Sequence, residues 1–145
     1  MSEKYIHFEI VTPERVVLKE EILQITVPTK AGEITVLPNH IPLVSSLAAG
    51  AIHIKKKDGT DEVISVSGGF LEVLKDKVVI LADTAERAEE IDLARAEEAH
   101  KRAEELKRQA RSGERVNFAE INASIERELA RTKAVKRWRK LKNLE

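Results

Sequence analysis

A chain of 145 residues, 42% hydrophobic, with 25 basic against 25 acidic side chains, is long enough to bury on the order of 68–70% of its unfolded surface in a real core. The absence of cysteine removes disulfide frameworks, thiolate metal sites and thiol nucleophiles together. No apolar run nears the ~18 residues of a membrane span, and Met1 to Ile10 carries charges where a signal peptide needs an apolar block, so a chain that starts where translation starts and faces the cytosol is expected.

The zero net charge hides two unlike halves. Up to Ala85 there are 9 basic and 12 acidic residues, and beyond it 16 and 13. All four prolines, five of six glycines and eleven of thirteen valines lie in the first part, which is strand and turn chemistry. Ile6, Phe8 and Ile10 alternate with His7 and Glu9 as a half-buried strand does, and Thr12-Pro13-Glu14 then turns the chain. Further strands are predicted at about Arg15 to Leu18, Glu21 to Val27, Glu33 to Val36, Val44 to Leu47, Ala51 to Lys56, Glu62 to Ser67, Phe70 to Leu74 and Val78 to Leu81. Many short strands with Asp58-Gly59 as a hairpin turn predict a two-sheet sandwich over residues 1–84.

From Thr84 onward Ala, Glu, Arg and Lys dominate, so residues 85–145 are predicted to form an antiparallel two-helix hairpin. Asp83-Thr84-Ala85-Glu86 resembles a capping box and places the first helix start there. Ala96, Ala99, Ala103, Leu106 and Ala110 form its apolar stripe. Ser112-Gly113-Glu114 breaks the run, and Asn117 caps a second helix with the stripe Phe118, Ile121, Ile125, Leu129, Thr132, Val135, Trp138 and Leu141. An alanine stripe buries little area, so the sandwich is expected to be stable alone and the hairpin only marginally docked.

Nothing in the chain assembles a catalytic site. Neither G-x-x-x-x-G-K-[ST] nor G-x-G-x-x-G occurs, and Ser67-Gly68-Gly69, between two strand-like runs, reads as a bulge or tight turn. His7, His40, His53 and His100 lack metal-site spacing, so no metal is expected. Glu89-Glu90, Glu97-Glu98 and Glu104-Glu105 lie off the apolar stripe as a solvated face, and no nucleophile elbow is present. From Leu129 to Glu145 seven basic residues oppose one acid. Because Val135, Trp138 and Leu141 keep an apolar stripe beneath that charge, a protein surface is the expected partner. The alternative is a free-standing adaptor whose basic hairpin binds nucleic acid.

Three stretches, Gly32 to Ser45 (GEITVLPNHIPLVS), Ser67 to Val73 (SGGFLEV) and Val79 to Ala96 (VILADTAERAEEIDLARA), together resemble the epsilon subunit of bacterial F-type ATP synthase. The likeness runs the length of the chain. It implies a ten-strand sandwich plus a helical hairpin, in a non-catalytic rotor subunit attached to the gamma subunit and resting on the membrane rotor c-ring. It places the protein peripherally on the cytoplasmic side of a bacterial cell membrane, associated only through the complex. Carried over, Glu33 would lie in the ring-facing loop and His40 near the gamma-facing surface. The C-terminal helices would inhibit ATP hydrolysis by reaching an acidic motif on the catalytic alpha/beta subunits, with Lys136, Arg137, Arg139 and Lys140 supplying the charge. No binding to nucleic acid is implied.

Some bacterial members of that family bind ATP on the folded hairpin through an I/L-D-x-x-R-A motif and further arginines. Ile91-Asp92-Leu93-Ala94-Arg95-Ala96 matches the motif in full, and the same resemblance implies Glu86, Arg102, Arg127 and Arg131 as contacts. ATP is then expected as a regulatory ligand, with no obligatory cofactor. Guanidinium forks pair bidentately with phosphate oxygens, which suits arginines to a triphosphate. At about 100° per residue Ile91, Arg95 and Arg102 lie within ~40° of one another on the first helix. Arg127 and Arg131 project roughly opposite Phe118, Ile121 and Ile125, which leaves open the face by which the second helix meets the first. The plainer reading of those two is a solvent-facing pair balanced by Glu128.

Overall fold

Period-2 alternation is realised in the first strand, β1 (Ile6–Val11), where Ile6, Phe8 and Ile10 are buried and His7 faces out. The computed structural model describes residues 4–110 and 117–143. Strand β2 (Val16–Thr29) follows, then β3 (Gly32–Val36), β4 (Leu43–Leu47), β5 (Gly50–Lys56), β6 (Asp61–Val66), β7 (Gly69–Val73), β8 (Lys77–Ala82) and β9 (Ala85–Arg87). The hydrogen-bonded order is β1-β8-β7-β4-β2-β5-β6-β9, with β3 on β2 and β1 also pairing β2. That extra pairing closes the path around one core, giving the predicted sandwich. Among these strands only β1 and β8 run parallel.

Two strands expected at Arg15 to Leu18 and Glu21 to Val27 are one strand of 14 residues. The polar Lys19 and Glu20 that suggested a break are paired to Glu9 and Phe8 of β1, so cross-strand hydrogen bonds carry the strand through them. In β2 the register against β5 then shifts between Ile22 and Gln24, a bulge that bends the long strand from one layer toward the other. The glycine turn is as predicted, with Gly68 and Gly69 both at positive φ.

Residues expected to open the first helix do otherwise. Ala85–Arg87 pairs with the edge of β6 as β9, and Ala88–Glu90 makes a single 3-10 turn. Helix α1 begins at Leu93 and runs to Ala110. Its cap is Asp92, whose Oδ1 accepts from the Arg95 N–H at 3.1 Å. An exposed sheet edge supplies partners that a free Ala-Glu-Arg run would lack, and this overrides the local helix propensity. Helix α2 (Phe118–Leu141) starts where predicted, with the Asn117 side chain accepting from the Ala119 and Glu120 N–H groups. The break expected at Ser112-Gly113-Glu114 lies outside the described residues.

Helix α1 buries Ala96, Ala103 and Ala110, while Leu106 of the predicted stripe is 51% exposed. On α2 the buried residues fall on two faces. Ile121, Glu128, Thr132 and Val135 form one, and Ala130 and Ala134 the other. Val135 packs with Ile91 and Ala96 of the α1 side, whereas Ala134 packs with Val63 and Ala88, under Trp138 and Ala51. The predicted stripe is therefore corrected. Phe118, Leu129 and Leu141 are exposed, because α2 is turned to fill a gap between α1 and the sandwich. The large core of Phe8, Ile10, Ile22, Ile25, Ile52, Ile64 and their neighbours comes wholly from strands, so no helical side chain completes it.

Candidate functional site

The I-D-x-x-R-A stretch is mostly structural in its contacts. Ile91 and the fully buried Ala96 seal against Val135. Asp92 caps α1 and its Oδ2 lies 3.8 Å from Arg95 Nε. Arg95 itself is 85% exposed. About two turns further on, Arg102 Nη1 donates to Glu98 Oε1 at 3.3 Å. Both guanidiniums project from α1 into solvent, each with a carboxylate of its own helix beside it.

The arginines of α2 sit differently. At roughly 100° per residue the two buried faces of α2 stand about 150° apart, and Arg127 and Arg131 fall between them. That answers which way they point. Arg131 Nε lies 2.7 Å from Glu86 Oε2 on β9, and its Nη1 donates to Glu128 Oε2 at 2.8 Å. Glu128 is only 7% exposed and also lies 3.6 Å from Arg127 Nε. Burial pulls the Arg131 guanidinium down, but Glu128 and Glu86 more than offset it and hold it above its ordinary value. The pair is balanced by Glu128, though Arg131 is not solvent-facing.

Glu86, Arg127, Glu128 and Arg131 line a cleft of about 530 Å³ together with the β1–β2 turn, including Thr12 and Arg15. That volume falls in the range of small-ligand sites. Of the six polar residues implied as ATP contacts, the structure brings Glu86, Arg127 and Arg131 together here and leaves Asp92, Arg95 and Arg102 outside the cleft lining. Sequence reasoning missed Arg15 altogether, since a lone arginine after a turn carries no spacing signal. A larger groove of about 790 Å³ on the other side of α2, between Lys30, Phe70, Leu129 and Lys133, holds none of the implied contacts.

Elsewhere, Glu33 stands at the start of β3 and accepts from Arg137 Nη1 at 3.3 Å. The implied ring-facing residue and one implied tail cation are thus partners in this conformation. Lys136 Nζ lies 3.9 Å from Glu97 of α1, while Arg139 and Lys140 are exposed. His40 occupies the loop between β3 and β4, next to Asn39 at φ 66°. Around it Leu37, Ile41 and Val44 are large, apolar and more than half exposed, Ile41 at 76%. Among the described residues no three His, Asp or Glu side chains are grouped to hold a metal ion, and no helix is long and apolar enough to cross a membrane.

Two family models match the chain. The ATP synthase, Delta/Epsilon chain, beta-sandwich domain covers residues 5–88, and the ATP synthase, Delta/Epsilon chain, long alpha-helix domain covers residues 89–136. Among curated proteins, the ATP synthase epsilon chain of Nitratidesulfovibrio vulgaris is 47% identical over 129 residues, 89% of this chain and 94% of the relative. That of Moorella thermoacetica is 44% identical over 89% of this chain and 95% of its own. That of Dehalococcoides mccartyi is 47% identical over 91% and 93%. A chain in the Euglena gracilis mitochondrial ATP synthase, seen with OSCP, F1 and c-ring, superposes with a TM-score of 0.74 at 25% identity, covering 87% of this chain and 78% of that one. A chain of the Tetrahymena thermophila central stalk and c-ring shares the fold, with a TM-score of 0.52 at 15% identity over 62% and 72%.

Proposed function

Because this chain belongs to the delta/epsilon family of ATP synthase, as an epsilon subunit of the stalk that is not itself catalytic, we propose that its sandwich couples the gamma subunit to the c-ring while its helices restrain ATP hydrolysis and sense ATP. The observation that carries this reading is the double burial of α2. One helix is held by α1 on one face and by the sandwich on the other, and the Arg131 clasp to Glu86 and Glu128 lies between. Each buried seam is built from few large side chains and includes alanine, which we read as letting the helix leave. A released α2 would offer Lys136, Arg137, Arg139 and Lys140 to the acidic motif of the catalytic alpha/beta subunits.

The exposed Leu37, Ile41 and Val44 around His40 suit an apolar protein surface, which we assign to gamma, and the projecting Glu33 suits the ring side. The complex would hold the subunit peripherally on the cytoplasmic side of a bacterial cell membrane. ATP would act as a regulatory ligand by favouring the docked hairpin. A ligand shifts such an equilibrium only through differential affinity, and at 100 times its dissociation constant the shift is about 2.7 kcal/mol. The test is removal of residues 117–145 in the assembled enzyme. ATPase activity should rise while gamma still co-purifies. Unchanged activity would place the brake elsewhere, and loss of gamma would refute the division of labour between sandwich and hairpin.

A further inference from the structure

We propose that Arg15, on the first turn of the sandwich, is a further phosphate contact of the nucleotide site, so that a bound triphosphate ties α2 to the sandwich. The inference rests on the reading of the Arg127–Arg131 cleft as a nucleotide site. Its motive is the distribution of unpaired charge. Arg95 has Asp92 beside it, Arg102 has Glu98, Arg127 has Glu128, and Arg131 has both Glu86 and Glu128. A phosphate approaching any of them competes with a carboxylate already in place. Arg15 lines the same cleft from the β1–β2 turn of the sandwich, and among the described residues its guanidinium has no carboxylate partner. It is the cation at which a phosphate gains a charge-assisted pair without displacing one.

The backbone that carries it is also fixed in advance. The turn is closed by the Thr12 N–H donating to the Arg15 carbonyl at 2.9 Å and by the Arg15 N–H donating to Thr12 Oγ1 at 3.3 Å. Pro13 fixes a further backbone dihedral within it. Little backbone ordering remains to be done when a ligand arrives, which favours binding. Glu14 and Asp83 also line the cleft. They make it unfavourable to an anion unless a cation offsets them, and Arg15 is the cation that the sandwich contributes to the lining.

Calorimetric titration of the full chain with ATP and with AMP tests this. Arg15→Ala should weaken ATP binding about tenfold, the order expected for losing hydrogen bonds to a charged group, and should weaken AMP much less. Lys19→Ala makes the same change in net charge on exposed β2 outside the cleft and should stay within about twofold of the unaltered chain. Arg15→Lys, which keeps the charge but loses the planar fork, should fall between the two. Since the turn is closed through backbone atoms and Thr12, Arg15→Ala should fold, and its thermal melt checks this. Equal ATP affinity for Arg15→Ala and the unaltered chain would overturn the inference alone. So would an equal loss in Lys19→Ala, which would reduce the effect to diffuse charge. No heat from the unaltered chain at millimolar ATP would bring down the nucleotide site itself, and this contact with it.

Discussion

A Cβ placed on Gly69 would sit 2.0 Å from the Leu81 carbonyl oxygen and 2.8 Å from the Ala82 Cα, at a φ of +130°. Both obstacles are backbone held in the β7–β8 ladder, so neither can step aside. Gly69→Ala should therefore cost about 3 kcal/mol or more, combining strain and overpacking, and denaturant unfolding would show it. Arg131→Ala strands the nearly buried Glu128 carboxylate. Breaking a fully buried pair costs roughly 3–5 kcal/mol. With Arg127 still beside Glu128 and Arg131 partly exposed, about 2 kcal/mol is expected. Adding Glu128→Gln should recover most of that loss, because the stranded charge goes with it. Lys56 behaves as its mirror image. The Glu62 carboxylate, 2.8 Å away, holds the Lys56 ammonium above its ordinary 10.5, against burial and the nearby Arg87. The folded state then binds the proton more tightly than the unfolded one. This contribution is full below pH 10.5 and is lost as pH rises through the higher folded value. A melting series at alkaline pH should decline less steeply in Glu62→Gln.

At the scale of elements, α2 decides the behaviour of the hairpin. Ala134 is fully buried against Val63 and Ala88, and Ala134→Leu should push α2 off the sandwich at a cost of about 1–3 kcal/mol. Trp138, the chain's single tryptophan, packs on that seam and should report the change as a red-shifted emission. The Arg137–Glu33 pair is half-exposed on its acidic side, and such pairs are worth about 0–1 kcal/mol, so Glu33→Gln should leave the same emission almost unmoved. The sequence showed α2 because Asn117 and a long 3.6-residue periodicity mark it. Its second buried face was hidden, since Ala130 and Ala134 look alike whether they face a partner or water. Strand β9 was hidden for the opposite reason: Ala85-Glu86-Arg87 has strong helical propensity, and only the free edge of β6 makes it a strand. The β strands themselves were legible wherever Ile, Val or Phe alternated with polar residues. They were misread where Lys19 and Glu20 interrupted that rhythm within β2. Of the cleft, the arginines on α2 were legible through their resemblance and spacing. Arg15 was not, because its relation to them exists only in three dimensions.

For the whole molecule, the all-strand core predicts two levels of stability. A chain ending at Asp92 should still melt cooperatively, since every member of the large cluster precedes that residue. Loss of cooperative melting would show that α2 is part of the fold's foundation rather than a guest on it. The closure of the sandwich also bears on how it is made. Strand β1 is flanked by β2, which follows at once, and by β8, whose first residue lies 66 positions beyond Val11. At a synthesis rate of about 5–20 residues per second, one edge of β1 waits several seconds on the ribosome with its backbone groups open to other chains. Stalled nascent chains should gain protease resistance at β1 only once residue 82 has emerged. Until then that edge is open to strand addition, and the parallel β1–β8 seam closes late in synthesis, with only the short β9 left to be laid on β6.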